Sequence, residues 1–267
     1  MSDPLPPLRD VIAAHDLGAK KALGQHFLLD LNLTRKIARS ADVGAGDHVL
    51  EIGPGPGGLT RALLEAGANV TAIERDARCI AVLDDIASAY PDKLTIVEAD
   101  ALSVDERALA QGGPVKIIAN LPYNISTELL LKWLKANHQA APLWSHMALM
   151  FQKEVADRIL AAPGSKTYGR LSVIAQAASR PLRAFNLPAR AFTPPPKVES
   201  AVVTFHPAPT QLTTLGALER ITQAAFSQRR KMLRSSLKPV FGANVETALA
   251  QIGRTPTDRA EEISVDD

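Results

Sequence analysis

The run His48–Val49–Leu50–Glu51–Ile52–Gly53–Pro54–Gly55–Pro56–Gly57–Gly58 carries an apolar, β-branched segment straight into glycine. His48–Ile52 predicts a strand, a helix is predicted to begin near Leu59, and Gly53, Gly55 and Gly58 satisfy G-x-G-x-x-G. Such a turn lets backbone approach a ligand closely and aims the free N–H groups of a helix N-terminus at it. A tight left-handed turn without a ligand is the plainer alternative. Further along the chain, Asn69–Glu74, Leu94–Glu98, Val115–Ala119 and Met147–Phe151 predict strands separated by helix-length segments, the pattern of a mostly parallel sheet covered on both faces. Leu182–Leu187 and Val198–Phe205 flank Pro194–Pro195–Pro196 and extend the sheet antiparallel at an edge, which makes seven strands. The fold class expected is α/β, a Rossmann-like seven-stranded domain.

After Phe205, His206–Pro207–Ala208–Pro209 reads as a linker. Leu215–Gln228, Arg229–Val240 and Val245–Ile252 then read as helices of a small all-α domain, with Gly242 and Gly253 as stop signals. The expected division is 1–206, with an N-terminal extension 1–40, and 207–267. With 267 residues, 46% apolar and 22% charged, the chain has globular, soluble composition and no membrane span. Met1–Asp16 has neither a secretory nor a transit pattern, so a cytoplasmic location is expected. The single cysteine, Cys79, excludes disulfide frameworks and multi-cysteine zinc centres, including that of nucleobase deaminases, and no metal is expected.

Net charge is only +2, but it is unevenly placed. Between Ala208 and Ile252 six basic residues face two acidic ones. On the predicted helix Arg229–Val240, the residues Arg229, Arg230, Lys231, Arg234 and Lys238 are placed to share a face, with Met232, Leu233 and Leu237 nearer the opposite one. That face suits RNA phosphates, and a merely solvated basic face is the alternative. Lys20, Lys21, Arg35, Lys36 and Arg39 form a second basic cluster.

Several residues point to one sheet edge. Glu74 ends the second strand where an acid can bind a ribose diol. Asp100 follows the third strand and could accept from an adenine amine, or simply cap a helix. The glycine turn alone does not separate a dinucleotide from S-adenosylmethionine. Pro54 and Pro56 each delete a backbone donor, which harms a pyrophosphate cradle more than a site for adenosine and a zwitterionic amino acid. The fourth strand ends in Asn120–Leu121–Pro122–Tyr123–Asn124. The exocyclic nitrogen of adenine is a poor nucleophile because its lone pair is delocalised into the ring. Two acceptors, the Asn120 side-chain oxygen and the Leu121 carbonyl turned outward by the restraint of Pro122, would take its two hydrogens and favour the pyramidal form. Tyr123 could stack on an extruded base, an interaction worth about 1–3 kcal/mol. A plain turn with Tyr123 in the core is the competing reading.

With Leu23–Leu28, Phe151–Ala156, Tyr168–Val173, Phe192–Val198 and Phe226–Lys231, these motifs resemble the ribosomal RNA adenine dimethyltransferases over nearly the whole chain. The bacterial small-subunit branch, the KsgA/RsmA family, is most similar. The resemblance implies a class I methyltransferase domain that dimethylates two adjacent adenines near the 3′ end of 16S rRNA on an assembling small subunit, as a monomer and with S-adenosylmethionine as cofactor. It further implies that His26 and Leu28 lie over the cofactor, Gly53 meets its methionine part, Glu74 its ribose, Asp100 its adenine and Asn120 its reacting end, with Gly55 also among the cofactor-binding residues. Phe192 would wall the flipped base opposite Tyr123. Where many relatives carry Asn, this chain has His26, which by itself reads as a cap or surface histidine. Relatives continue past a Ser-Val-x-x-Phe element, so a slightly shortened C-terminal domain is expected. Rival readings are a large-subunit rRNA methyltransferase, an assembly or transcription factor that keeps the fold without catalysis, and a nicotinamide dehydrogenase, which leaves Asn120–Tyr123 without a purpose.

Overall fold

Strands form where β-branched and apolar residues run together, and six of the helices start behind a Pro, Asp or Gly: Pro7, Asp30, Gly57, Asp76, Asp105 and Gly169. The computed structural model describes residues 5–18, 25–110, 112–138, 141–208, 215–228 and 231–267. In chain order the first half holds α1 (Leu8–Ala14), β1 (Phe27–Leu28), α2 (Leu31–Ser40), β2 (His48–Ile52), α3 (Gly58–Glu65), β3 (Asn69–Glu74), α4 (Ala77–Ala89), β4 (Leu94–Glu98), α5 (Glu106–Leu109) and β5 (Val115–Asn120). There follow α6 (Ser126–Asn137), β6 (Trp144–Gln152), α7 (Lys153–Ile159), α8 (Arg170–Ala178), β7 (Ser179–Leu187), β8 (Phe192–Thr193) and β9 (Ser200–Pro207). The last helices are α9 (Leu215–Ala225), α10 (Leu233–Ser236), α11 (Lys238–Phe241) and α12 (Val245–Gln251). Asp30, Asp76 and Asp105 cap α2, α4 and α5 by accepting main-chain N–H bonds two residues on.

Seven strands form one sheet in the order β4-β3-β2-β5-β6-β9-β7. The first five are mutually parallel, while β9 runs antiparallel to both β6 and β7, so the proline-flanked pair does close the sheet at an edge. Strand residues alternate between two cores: Leu50, Ile117, Leu149 and Val203 pack with α6, α7 and α8, whereas Val49, Ile118, Ala148 and Val202 pack with α2, α3 and α4. The parallel strands are therefore buried on both faces, as their unbroken apolar runs predict. Cys79 is one of the residues filling the second core. The chain winds from β2 outward to β4, then crosses back to lay β5 on the other side of β2. That reversal opens a crevice at the carboxyl ends of β2 and β5, where ligands of open α/β sheets bind.

Two expectations are corrected beyond Phe205. His206 and Pro207 are strand rather than linker, paired with Arg180 and Ser179. Pro207 is tolerated because it ends the ladder. Arg229–Val240 is not one helix. Lys231 lies in a bend, Met232 is extended and bridges Arg259, and two short helices follow. Pro239 in the first turn of α11 has no N–H to carry a helix through, while the Leu233 and Arg234 amides donate to the carbonyls of Asp258 and Pro256. Lys231, Arg234 and Lys238 are exposed but do not share a continuous helical face. Arg229, Arg230, Lys20, Lys21 and Pro209 lie outside the described residues.

The C-terminal helices hold their own small core of Leu233, Leu237, Val245 and Leu249. They are nevertheless joined to the sheet domain: Leu215 belongs to the main core, Glu219 pairs with Lys135, and the Tyr168 hydroxyl donates to the Ile263 carbonyl. No helix among the described residues is long and apolar enough to cross a membrane.

Candidate active site

The glycine turn takes the shape its composition demands. Gly53, Gly55 and Gly57 have φ of 66°, 55° and 81°, in the left-handed region that L side chains avoid. Gly58 is required for another reason: a Cβ there would stand 2.7 Å from the Leu28 carbonyl oxygen. The turn must be bare on that side because β1 lies across it. This two-residue strand is pinned from above by β8, with Phe27 opposite Thr193 and Leu28 opposite Phe192. Beneath, α3 starts with no side-chain cap, so its first N–H groups remain a positive end facing the crevice.

Glu74, at the end of β3, is buried. Its carboxylate accepts from the Gly55 amide at 3.0 Å and from the Arg75 and Asp76 amides at 2.8 Å, and so fastens the glycine turn to β3. Burial raises its pKa, and those three amides oppose the rise. Two oxygens offer about four acceptor positions, so one remains for a ligand hydroxyl. Asp100 caps the turn after β4 by accepting from the Leu102 amide, and at the mouth it pairs with the Arg75 guanidinium at 2.9 Å. The capping alternative is thus realised in a turn, and the carboxylate still lines the crevice.

Asn120 ends β5 with its amide nitrogen donating to the His26 carbonyl at 3.0 Å. That bond leaves the side-chain oxygen as the free end of the amide. Among the described residues neither this oxygen nor the Leu121 carbonyl accepts a hydrogen bond. The Tyr123 hydroxyl is held to the Ser200 hydroxyl at 2.6 Å, and its half-buried ring stacks on His26 with centroids 5.6 Å apart. Burial also raises the Tyr123 phenol above its ordinary value. His26 is neither a helix cap nor a loose surface group: its Nδ1 lies 2.8 Å from the Pro194 carbonyl, tying the segment before β1 to the proline loop. His26, Leu28, Gly53, Gly55, Asn120, Leu121, Pro122 and Tyr123 line one crevice with Glu74 and Asp100.

Phe192 departs from expectation. It is 2% exposed, packs in the core with Leu28 and Val202 and is not among the residues lining the crevice. Pairing of β8 with β1 turns it inward, where it supports the cover over the turn. Sequence reading also missed contacts. Gln25 donates to Asp76 at 3.0 Å, and Arg78 holds the Asp76 carboxyl down to about 2. Glu51, an acid inside an apolar strand, is buried with both oxygens unpartnered and lines the crevice. The acid in an apolar run was the available signal. No cluster of three or more metal-ligating side chains occurs among the described residues.

A seven-stranded sheet with one antiparallel insertion, a glycine turn after the strand beside the switch point and acids closing the next two strands define a class I methyltransferase. The solved structures similar to it include a dimethyladenosine transferase from Plasmodium falciparum, with a TM-score of 0.75 and 27% identity over 91% of this chain and 94% of that one. The 23S rRNA methyltransferase ErmE matches with a TM-score of 0.69 and 25% identity over 90% of this chain and 95% of that one. The chain belongs to the ribosomal RNA adenine dimethylase family, whose profile matches residues 17–267. Among relatives, the ribosomal RNA small subunit methyltransferase A of Phenylobacterium zucineum is 57% identical over 98% of this chain and 90% of its own length. That of Sinorhizobium medicae is 56% identical over 99% and 96%.

Proposed function

We propose that this chain transfers methyl groups from S-adenosylmethionine to N6 of two adjacent adenines near the 3′ end of 16S rRNA, on an assembling small subunit in the cytoplasm, as a monomer. Residues 1–206 would hold the cofactor and 207–267 would engage RNA. The observation that carries this reading is Asn120: its amide nitrogen is fixed by the His26 carbonyl, which leaves its oxygen and the Leu121 carbonyl as two acceptors beside the glycine turn.

The residues fit the cofactor. The turn admits backbone-close contact, and Glu74 has an acceptor left that would take a ribose hydroxyl; in the same crevice Asp100 would accept from the adenine amine, Gly53 would meet the methionine part, and His26 and Leu28 would lie over the cofactor. Bound there, S-adenosylmethionine supplies an electrophilic methyl. The chain's part is to grip both hydrogens of the adenine amine so that its lone pair leaves the ring. Tyr123, held by Ser200, offers a face that offsets part of the few kcal/mol needed to unstack the base. No general base is needed, because the methylated nitrogen is strongly acidic while cationic and loses its proton to water.

Purified protein should transfer labelled methyl from S-adenosylmethionine to unmodified small-subunit particles, with label confined to two adjacent adenines. Cofactor binding without transfer would instead favour an assembly factor, and label on large-subunit RNA would favour the rival substrate.

A further inference from the structure

Asp100 opens the turn that follows β4, and its carboxylate is oriented from within that turn, where one oxygen accepts from the Leu102 amide at 3.0 Å. The Asp100 carbonyl accepts from the Ser103 amide at 2.9 Å, which closes the turn on itself without fixing it to a neighbouring element. Lys132, on α6, makes the connection. Its ammonium donates to the Ala101 carbonyl at 2.9 Å and to the Val104 carbonyl at 2.6 Å, one on each side of Leu102, and meets the Glu106 carboxylate at 2.9 Å. An ammonium has three hydrogens, so these three acceptors commit it fully. Glu106 is buried, and the same oxygen accepts from the Trp133 indole at 2.7 Å, so α6 grips the start of α5 as well. At its other end α6 grows out of the Asn120–Tyr123 motif: the Ser126 hydroxyl donates to the Tyr123 carbonyl and the Ile125 amide to the Pro122 carbonyl. Leu102 and Ile125 both line the crevice, whereas Lys132 does not.

We infer that Lys132 is a positioning residue for adenine selectivity: by holding the Ala101 and Val104 carbonyls it sets the Leu102 amide that aims Asp100 at the adenine amine. This rests on the reading of Asp100 as the acceptor for that amine and adds to it the group that gives the acceptor its direction. Lys132 touches no ligand, so its effect passes through the turn. Without the ammonium the turn is free to shift, and a misdirected Asp100 loses the adenine amine while the rest of the crevice keeps its contacts.

The test is titration calorimetry on the full chain with S-adenosylhomocysteine and with S-inosylhomocysteine, which carries a carbonyl oxygen in place of the amine. Wild type should prefer the adenosyl ligand by roughly 10–100-fold, the worth of one hydrogen bond to a charged group. Lys132→Met should cut that preference by about tenfold, through the adenosyl ligand alone. Added to Asp100→Ala it should cost no further adenosyl affinity, because the two act in one chain of contacts. Trp133→Phe, which takes a bond from Glu106 and none from the turn, should lower the melting temperature and keep the preference. Should Lys132→Met not fold because the buried Glu106 loses its cation, Lys132→Met combined with Glu106→Gln leaves Trp133 an acceptor and takes its place. An unchanged preference in the folded Lys132 variant, a further loss on the Asp100→Ala background, or an equal loss of preference in Trp133→Phe overturns the inference and leaves the reading of Asp100 standing. No preference in the wild type overturns both.

Discussion

Asn120 and Glu51 stand in the same crevice and differ in how their polar atoms are satisfied. The Asn120 amide is half engaged, so Asn120→Ala removes an acceptor needed when the adenine nitrogen pyramidalises. Turnover should fall about 10²–10³-fold, the range seen when one preorganised polar group is removed, with cofactor affinity changed far less. Equal losses in calorimetry and single-turnover assays would contradict that role. Glu51 makes a separate stability prediction. Its folded-state pKa is raised from 4.5 to about 8, so its contribution is fully present below the unfolded value and is lost as pH rises through the folded one. Without cofactor, Glu51→Gln, which never ionises, should gain stability relative to wild type across that window, on the order of a few kcal/mol at its alkaline end. Denaturant melts at the two ends of the window measure it, and a pH-independent difference would mean that Glu51 is already ionised in the folded protein.

Among the elements, the short strand β1 does more for the site than its two residues suggest. It lies over the glycine turn, pairs with β8 and, through the preceding His26 carbonyl, fixes Asn120. Gly58→Ala would drive a Cβ into the Leu28 carbonyl, where backbone must move. A loss of about 1–3 kcal/mol is expected, together with weaker cofactor binding. Gly216→Ala in α9, where nothing lies within 4 Å, should be neutral or stabilising and serves as the comparison. Equal destabilisation by both would show that the close approach does not matter. The broken basic helix teaches the converse lesson. A 3.6-residue pattern counts side chains, and it missed both Pro239 and the carbonyls of the 256–258 segment that capture the amides of Leu233 and Arg234.

Across the molecule, the helical segment is set on the sheet domain by Tyr168, Leu215 and the Glu219–Lys135 pair, so the exposed Lys231, Arg234 and Lys238 are held at a defined place relative to the crevice. If they meet phosphate, replacing all three with Gln should weaken particle binding. The dependence on salt should flatten by roughly 0.7–0.9 in log–log slope for each phosphate that is no longer neutralised. Methyl transfer to a bound adenine should change little. An unaltered salt slope in filter binding would assign these residues to a solvated face.

The five parallel strands, the antiparallel closure, the glycine turn and the acids at the strand ends were all legible in the order of residues, because apolar period, glycine and proline act within a few residues of themselves. The family resemblance was legible there too, through Asn120–Tyr123. Folding in three dimensions was needed to turn Phe192 inward, to stack His26 on Tyr123 and anchor Asn120, to engage Asp100 with Arg75, and to leave Glu51 without a partner. Each of these depends on which segments meet across the crevice, and burial and partnering are properties of that meeting rather than of any local run of residues.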